Sequence, residues 1–207
     1  MDDVSTVVLM SPITSSVFGD LDERMWMFFV DHPFLTSTAR RLTDLGAMHT
    51  LIPLAVVAGM LVWWRYRSLV LAVVPWIALQ FNSSFVAVLK RTFDVARPPR
   101  ELWMGGAAGG SFPSGHVANT ACLVVAVAMI VYLNESSLRV RRWSLVLAST
   151  GIVVMAWTRL ALNVHWFSDV LAGAFVGIAT AGATVFVASL FKSRREIPLR
   201  TRDQSAS

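Results

Sequence analysis

Charged residues are scarce in this chain: they make up 15% of its 207 residues, against about 25% in a typical soluble domain. Hydrophobic residues make up 55%, and the mean hydropathy is +0.59. A soluble globular protein rarely has so few charges together with several long apolar runs. The composition therefore excludes an ordinary soluble fold and predicts a polytopic membrane protein.

Cysteine is nearly absent as well, because Cys122 is the single one. An internal disulfide is excluded, and the redox compartment stays undetermined. The first ten residues hold two aspartates and no lysine or arginine, and no long apolar segment follows directly. This start does not predict a cleaved signal peptide.

Five apolar runs approach the length of about 20 residues that a helix needs to cross the hydrocarbon core. They cover residues 46–64, 68–89, 114–133, 143–159 and 169–191. Residues 21–45 mix charged and apolar side chains, which predicts one or two helices on the membrane surface, broken near His32-Pro33; a soluble cap over the site is the alternative. The predicted fold class is all-α, a transmembrane helical bundle. We expect a single domain, 1–207, made of a weakly structured lead (1–20), interfacial helices (21–45), the bundle (46–191) and a basic cytoplasmic tail (192–207).

Positive residues are concentrated on one predicted side. Loop 65–67, loop 134–142 and the tail from residue 192 together hold ten lysines or arginines. We expect the protein to lie in the cell membrane. By the positive-inside rule, this side faces the cytoplasm and the N-terminus lies outside. It also explains the net charge of +5 without nucleic-acid binding.

A small-residue face is predicted on the last span, where Gly173 and Gly177 are four residues apart. Such faces let helix backbones approach closely. We expect this one to pack within the chain in preference to forming a dimer seam, and the oligomeric state stays open.

Three polar stretches fall at the extracytoplasmic ends of the predicted spans. Two of them supply the cations Lys90, Arg97 and Arg159. The planar fork of arginine matches phosphate oxygens bidentately, and grouped cations stabilise the charge of a phosphoryl transition state. The alternative is that these cations are ordinary flanking residues, but flanking positive charges are disfavoured on this side.

The third stretch, Pro113-Ser114-Gly115-His116, directly precedes a predicted span. Ser114 can cap the helix, Gly115 permits close approach of the backbone, and the first-turn N–H groups form an anion site. His116 would then lie beside the anion and could donate a proton to a leaving oxygen. A simple capped helix start is the alternative.

His165 and Asp169 form the remaining candidate pair. A carboxylate that accepts one ring N–H fixes the tautomer and leaves the other nitrogen as a nucleophile or base. The alternatives are a polar interfacial anchor for His165 and a helix N-cap for Asp169, and a cap is compatible with the catalytic role.

In this order and spacing, the motifs resemble the three-part signature of the type 2 phosphatidic acid phosphatase superfamily: Lys90-x6-Arg97-Pro98, Pro113-Ser114-Gly115-His116 and Arg159-x5-His165-x3-Asp169. That superfamily includes lipid phosphate phosphatases, undecaprenyl-diphosphate phosphatases, glucose-6-phosphatase and the vanadium haloperoxidases. Thr158 stands where the family usually has serine, so a hydroxyl is kept. Membrane members typically have six spans, and the first is not recognised here.

The resemblance implies a role for each residue. His165 would attack phosphorus and form a phosphohistidine, Asp169 would orient it, and His116 would protonate the leaving group. The phosphoryl oxygens would be held by Lys90, Arg97, Arg159, Ser114 and Gly115. The resemblance implies no metal or other cofactor, and it implies a helical bundle with the site at its outer mouth.

The resulting prediction is a membrane phosphatase that acts on a lipid phosphate or diphosphate. A polyprenyl diphosphate such as undecaprenyl diphosphate is favoured, with phosphatidic acid or phosphatidylglycerophosphate close behind. A head-group-binding transporter and a lipid phosphotransferase are the alternatives. A vanadate-dependent haloperoxidase is disfavoured, because those relatives are soluble.

Overall fold

The computed structural model describes residues 19–33 and 36–203, with side chains described as far as Lys192. The predicted N-terminal lead lies outside the described residues except for its last two positions, and so do the last four residues of the tail. Seven α-helices run through the described chain: α1 (Gly19–Asp31), α2 (Thr36–Leu42), α3 (Met48–Tyr66), α4 (Leu69–Phe93), α5 (Gly115–Asn134), α6 (Leu138–Ala161) and α7 (Phe167–Asp203). The extent of the single domain stays a prediction.

Helices α3 to α7 are long and apolar enough to cross a membrane, as the sequence predicts. The all-helical transmembrane fold is therefore confirmed. Two boundaries differ from expectation. Helix α6 begins at Leu138 instead of Trp143, because the Ser137 side chain accepts a hydrogen bond from Val140 N. Helix α7 continues past the predicted end of its span to Asp203.

Helix α5 lies at the centre of the bundle and is the most buried of the five spans. Helix α7 packs closely against it. A Cβ on Gly177 would lie 2.2 Å from Ala118 O, and one on Gly173 would lie 2.7 Å from Ser114 O. The small-residue face thus packs within the chain.

Helices α1 and α2 pack against the bundle end where α7 begins. The Trp26 ring of α1 lies 6.1 Å from the Trp166 ring, and Ala39 of α2 is fully buried. A short 3-10 turn, Thr43–Gly46, then leads into α3. The two N-terminal helices therefore cover the end that carries the polar stretches, as the cap alternative requires, and their position at a membrane surface stays a prediction.

At the opposite end of the bundle, Glu135 connects the α5–α6 loop to the end of α3. This residue, which follows α5, forms a salt bridge of 2.9 Å with Arg65 and accepts a hydrogen bond of 3.0 Å from Tyr66. Nearby, Lys192 of α7 donates to Asn134 over 2.9 Å. The α3–α4 loop, the α5–α6 loop and the later part of α7 therefore lie together, away from the polar stretches.

Candidate active site

Three segments meet at the end of the bundle covered by α1 and α2: the loop after α4, the start of α5 and the turn between α6 and α7. Backbone and side-chain hydrogen bonds connect them directly. Ser114 N donates to Asp169 O over 2.9 Å, and Arg97 Nη1 donates to Val164 O over 2.7 Å. The three stretches singled out in the sequence are thus parts of one cluster.

Asp169 is the most heavily hydrogen-bonded acceptor in this cluster. It is 1% exposed, and its Oδ2 accepts from Trp166 N over 2.8 Å and from the Ser111 hydroxyl. The same oxygen lies 3.2 Å from Nδ1 of His165, which is also buried. As the third residue of α7, Asp169 reaches back to the residue before the helix, as in a capping box. The cap and the contact with the imidazole come from one carboxylate.

The tautomer of His165 follows from its second neighbour. Arg97 Nη1 lies 3.1 Å from His165 Nε2, and a guanidinium can only donate hydrogen bonds. Nε2 therefore accepts, and Nδ1 carries the hydrogen that faces Asp169. Burial is the largest cause that lowers the pKa of His165 well below its usual value, followed by the positive charges of Arg97 and Arg159. The ring is neutral at pH 7, with its unprotonated nitrogen on the side of the cations.

The cations Lys90 and Arg97 hold the loop segment 108–111 through its carbonyl groups. Lys90 Nζ donates to Gly110 O over 2.7 Å and to Ser111 O over 3.2 Å. Arg97 donates to the carbonyls of Ala108, Gly109 and Gly110 over 3.0 to 3.1 Å. Gly109 has φ +67°, a conformation that favours glycine. In this state, peptide oxygens fill the positions beside both cations.

Arg159 lies deeper, at 3% exposure. Its Nη1 donates to Thr43 Oγ1 over 2.7 Å, and its Nη2 lies 3.5 Å from Gly106 O. Within the described part of the chain, neither Arg159 Nε nor the buried Ser114 hydroxyl has a hydrogen-bond partner. Both groups can therefore donate to an oxyanion bound at this position.

His116 lies in the first turn of α5, partly buried, and interacts electrostatically with Arg159, Arg97 and Lys90 and with His165. The protein around Gly115 leaves room for a small side chain. A Cβ there would make only ordinary contacts, 3.7 Å from Val86 and 3.8 Å from the Lys90 side chain. The neighbouring side chains therefore do not require glycine at this position, and its close approach to a bound anion stays a prediction.

Sequence reasoning missed two hydrogen-bonding partners of these residues, Ser111 and Thr43. Ser111 lies in the glycine-rich loop and had no motif of its own, although it is three residues from Ser114. Thr43 belongs to the segment that the sequence assigns to interfacial helices. Among the described residues, no three His, Cys, Asp or Glu side chains are grouped as a metal site would require.

Comparisons with known proteins agree on one family. The family model described as PAP2 superfamily matches residues 68–193. Phosphatidylglycerophosphatase B of Bacillus subtilis (strain 168) is 28% identical over 151 residues, which are 72% of this chain and 73% of that protein.

Two solved structures share the fold. The first transmembrane PAP2-type phosphatidylglycerolphosphate phosphatase from Bacillus subtilis matches with a TM-score of 0.74 at 23% identity, over 92% of this chain and 94% of that one. Aquifex aeolicus LpxE matches with a TM-score of 0.61 at 21% identity, over 80% of this chain and 94% of that one. The bundle found here is therefore one that these solved proteins also adopt.

Proposed function

Because the chain belongs to the PAP2 superfamily and is an integral-membrane phosphatase, we propose that it hydrolyses a lipid phosphate through a phosphohistidine formed on His165. One observation carries this proposal. The His165 ring is buried between Asp169 on Nδ1 and Arg97 on Nε2, so that it is neutral, oriented and next to a cation. Binding a phosphate group would not need an imidazole held in this way.

In the first step, the Nε2 lone pair of His165 attacks phosphorus. A P–N bond forms, and the P–O bond to the lipid breaks. His116 gives its proton to the departing oxygen. The ring of His165 becomes positive, and Asp169, which accepts its Nδ1–H, stabilises that charge.

Two kinds of groups hold the phosphoryl oxygens: donors that have no partner among the described residues, and cations whose present partners are loop carbonyls. Arg159 Nε and the Ser114 hydroxyl are buried donors without partners, and the first-turn N–H groups of α5, beginning at Gly115, add a helix N-terminus. Lys90 and Arg97 exchange loop carbonyls for phosphoryl oxygens. These groups stabilise the charge spread over the oxygens of the transition state.

In the second step, water attacks the phosphohistidine. A P–O bond to the water oxygen forms, the P–N bond breaks, and the electron pair returns to Nε2 of His165. His116, now neutral, accepts a proton from the water. Inorganic phosphate leaves, and the side chains are restored to their starting protonation states.

We propose phosphatidylglycerophosphate as the first substrate to test, since the relative from Bacillus subtilis is named for its action on that lipid. The preference for a polyprenyl diphosphate stays a prediction from the sequence. The short loops favour a substrate that reaches the site through the bilayer, on the extracytoplasmic side. The distribution of positive charge supports this orientation.

The test is phosphate release by purified protein in EDTA, from phosphatidylglycerophosphate, a polyprenyl diphosphate and phosphatidic acid in parallel. We expect turnover without added metal, and a loss of about a thousandfold or more in His165→Ala. The matched control is His49→Ala, an exposed histidine outside the site. Acid-labile, base-stable radiolabel trapped on the protein from labelled lipid should disappear in His165→Ala only. Full turnover in His165→Ala, or binding of lipid without phosphate release by the native protein, would contradict the proposal.

A further inference from the structure

The position of the His165–Asp169 pair depends on how α7 begins. Phe167 is the first residue of this helix, so that His165 lies just before it and Asp169 in its first turn. The first N–H groups of a helix have no partner within the helix and need an acceptor from elsewhere. The acceptors that bind these N–H groups therefore help to position Asp169, which lies in the first turn.

The residue that normally supplies this acceptor is unsuited to do so here. Trp166 directly precedes α7, where serine, threonine, aspartate or asparagine is usual, and an indole has no acceptor. Its ring is also engaged elsewhere. Trp166 Nε1 donates to Ala96 O over 2.9 Å, and the ring packs against Trp26.

The missing acceptor comes from α1. One carboxylate oxygen of Asp22 accepts from Ser168 N over 2.7 Å, and the other accepts from the Ser168 hydroxyl over 2.7 Å. Asp22 is 1% exposed, so this contact is removed from solvent. The carboxylate also lies at the positive end of the α7 dipole.

We propose that Asp22 is a positioning residue of the phosphatase reaction, which caps α7 from outside the helix and thereby holds Asp169 against His165. The inference rests on the proposed function of that pair. Two carboxylates accept the backbone hydrogen bonds at the start of α7: Asp169 accepts from Trp166 N, and Asp22 accepts from Ser168 N.

The distances indicate why the cap matters for the reaction. Asp169 follows Ser168 directly in the chain, so a shift of the first turn moves its carboxylate. The contact between Asp169 and the His165 ring is already 3.2 Å, at the long end of the hydrogen-bond range. A displacement of a few tenths of an ångström would take it beyond this range, and Nδ1 of His165 would lose the carboxylate that orients it.

The experiment compares Asp22→Ala with Asp22→Asn in the full-length protein in detergent. Alanine removes both acceptors, and we expect kcat to fall about tenfold with KM unchanged. Asparagine can keep both contacts, because its carbonyl accepts from Ser168 N and its amide can donate to the Ser168 hydroxyl. Its kcat should stay within about twofold of the native value. Asp20→Ala is the matched control, an exposed carboxylate in the same first turn of α1.

A second readout does not depend on turnover. In protein labelled with ¹⁵N-histidine, the Nδ1 and Nε2 signals of His165 should shift in Asp22→Ala and return in Asp22→Asn. Ser168→Ala, which removes one of the two contacts, should give an intermediate kcat and remains informative if Asp22→Ala fails to fold. A lowered Tm with unchanged kcat and unchanged His165 signals in the Asp22→Ala and Ser168→Ala variants would overturn the inference. Absence of phosphatase turnover in the native protein would instead reject the proposed function, while the His165 signals would still test the action of Asp22.

Discussion

Arg97 donates a hydrogen bond to Nε2 of His165 over 3.1 Å, so the lone pair proposed as the nucleophile is occupied before substrate binds. The same Nη1 also donates to Val164 O over 2.7 Å, which keeps the guanidinium beside the ring. Phosphoryl oxygens attract the guanidinium more strongly than a neutral imidazole does. In the proposed reaction, substrate binding would therefore both pair the guanidinium with phosphate and free Nε2 of His165 for attack.

Replacement of Asp169 by asparagine tests the negative charge beside the imidazole. All the donors to the Asp169 side chain meet Oδ2, and Oδ1 has no partner among the described residues, so asparagine can keep these contacts through its carbonyl oxygen. The substitution removes the charge that would stabilise the positive ring of the phosphohistidine. We expect kcat for Asp169→Asn to fall by about 10²- to 10⁴-fold, with the protein still folded. Steady-state kinetics with lipid phosphate measure this, and a kcat near the native value would contradict the role of Asp169.

The protonation of His165 gives a prediction of pH dependence. Because burial and the cations lower its pKa well below 6.5, the ring should remain neutral as the pH falls through 6.5. A titration of ¹⁵N-labelled histidine, with His165 assigned by its absence in His165→Ala, measures the ring directly and avoids the ionisation of the substrate. Protonation of His165 at or above pH 6.5 would contradict this electrostatic description.

Ser111→Ala tests a residue that the sequence did not single out. Its hydroxyl donates to the buried Asp169 carboxylate, and loss of a hydrogen bond to a charged group costs about 1.5–3 kcal/mol. We expect a decrease of kcat by about ten- to a hundredfold with little change in KM. Ser136→Ala in the exposed α5–α6 loop is the control, and equal kcat for both variants would exclude a role for Ser111.

Two glycines of α7, one packed against α5 and one with open space around it, test the close approach of the two helices. A Cβ on Gly173 would meet Ser114 O at 2.7 Å, whereas nothing lies within 4 Å of a Cβ on Gly182. We expect Gly173→Ala to lower stability by about 1–3 kcal/mol and to reduce activity, because it pushes α7 away from the start of α5. Gly182→Ala should do neither. Thermal unfolding in detergent measures the stability, and equal Tm values would contradict the packing.

The orientation in the membrane is tested with an impermeant thiol reagent in a Cys122→Ala background. Glu101→Cys lies in the exposed loop on the active-site side, and Ser136→Cys lies in the exposed loop at the opposite end. We expect labelling of Glu101→Cys in intact cells and of Ser136→Cys only after permeabilisation. The reverse pattern would place the active site in the cytoplasm.

The spans were predictable because length and hydropathy are properties of contiguous residues. Each of the five spans was predicted within a few residues, except at the start of α6, and helix α7 itself continues beyond its span to Asp203. At α6, three nearby arginines suggested a loop, but a capped helix carries them into its first turns. Local charge did not reveal where the cap would lie.

The contact between His165 and Asp169 was predictable, because the two residues are four positions apart in one chain segment. Partners from distant segments were not. Asp22 contacts Ser168, and Thr43 contacts Arg159, across more than 100 residues of sequence. Their own neighbours in the chain indicate only interfacial helices. Such pairings depend on how α1 and α2 fold over the bundle, which no periodicity in the sequence encodes.

The peptide oxygens of segment 108–111 surround the ammonium of Lys90 and the guanidinium of Arg97 as a hydration shell would. When a phosphoryl group binds, its oxygens would replace the peptide oxygens, so that neither cation loses all of its hydrogen-bond acceptors. When the product leaves, the peptide oxygens would return to both cations. The net free energy of phosphate binding is then only the difference between these two sets of contacts, and the protein should release inorganic phosphate readily after each turnover.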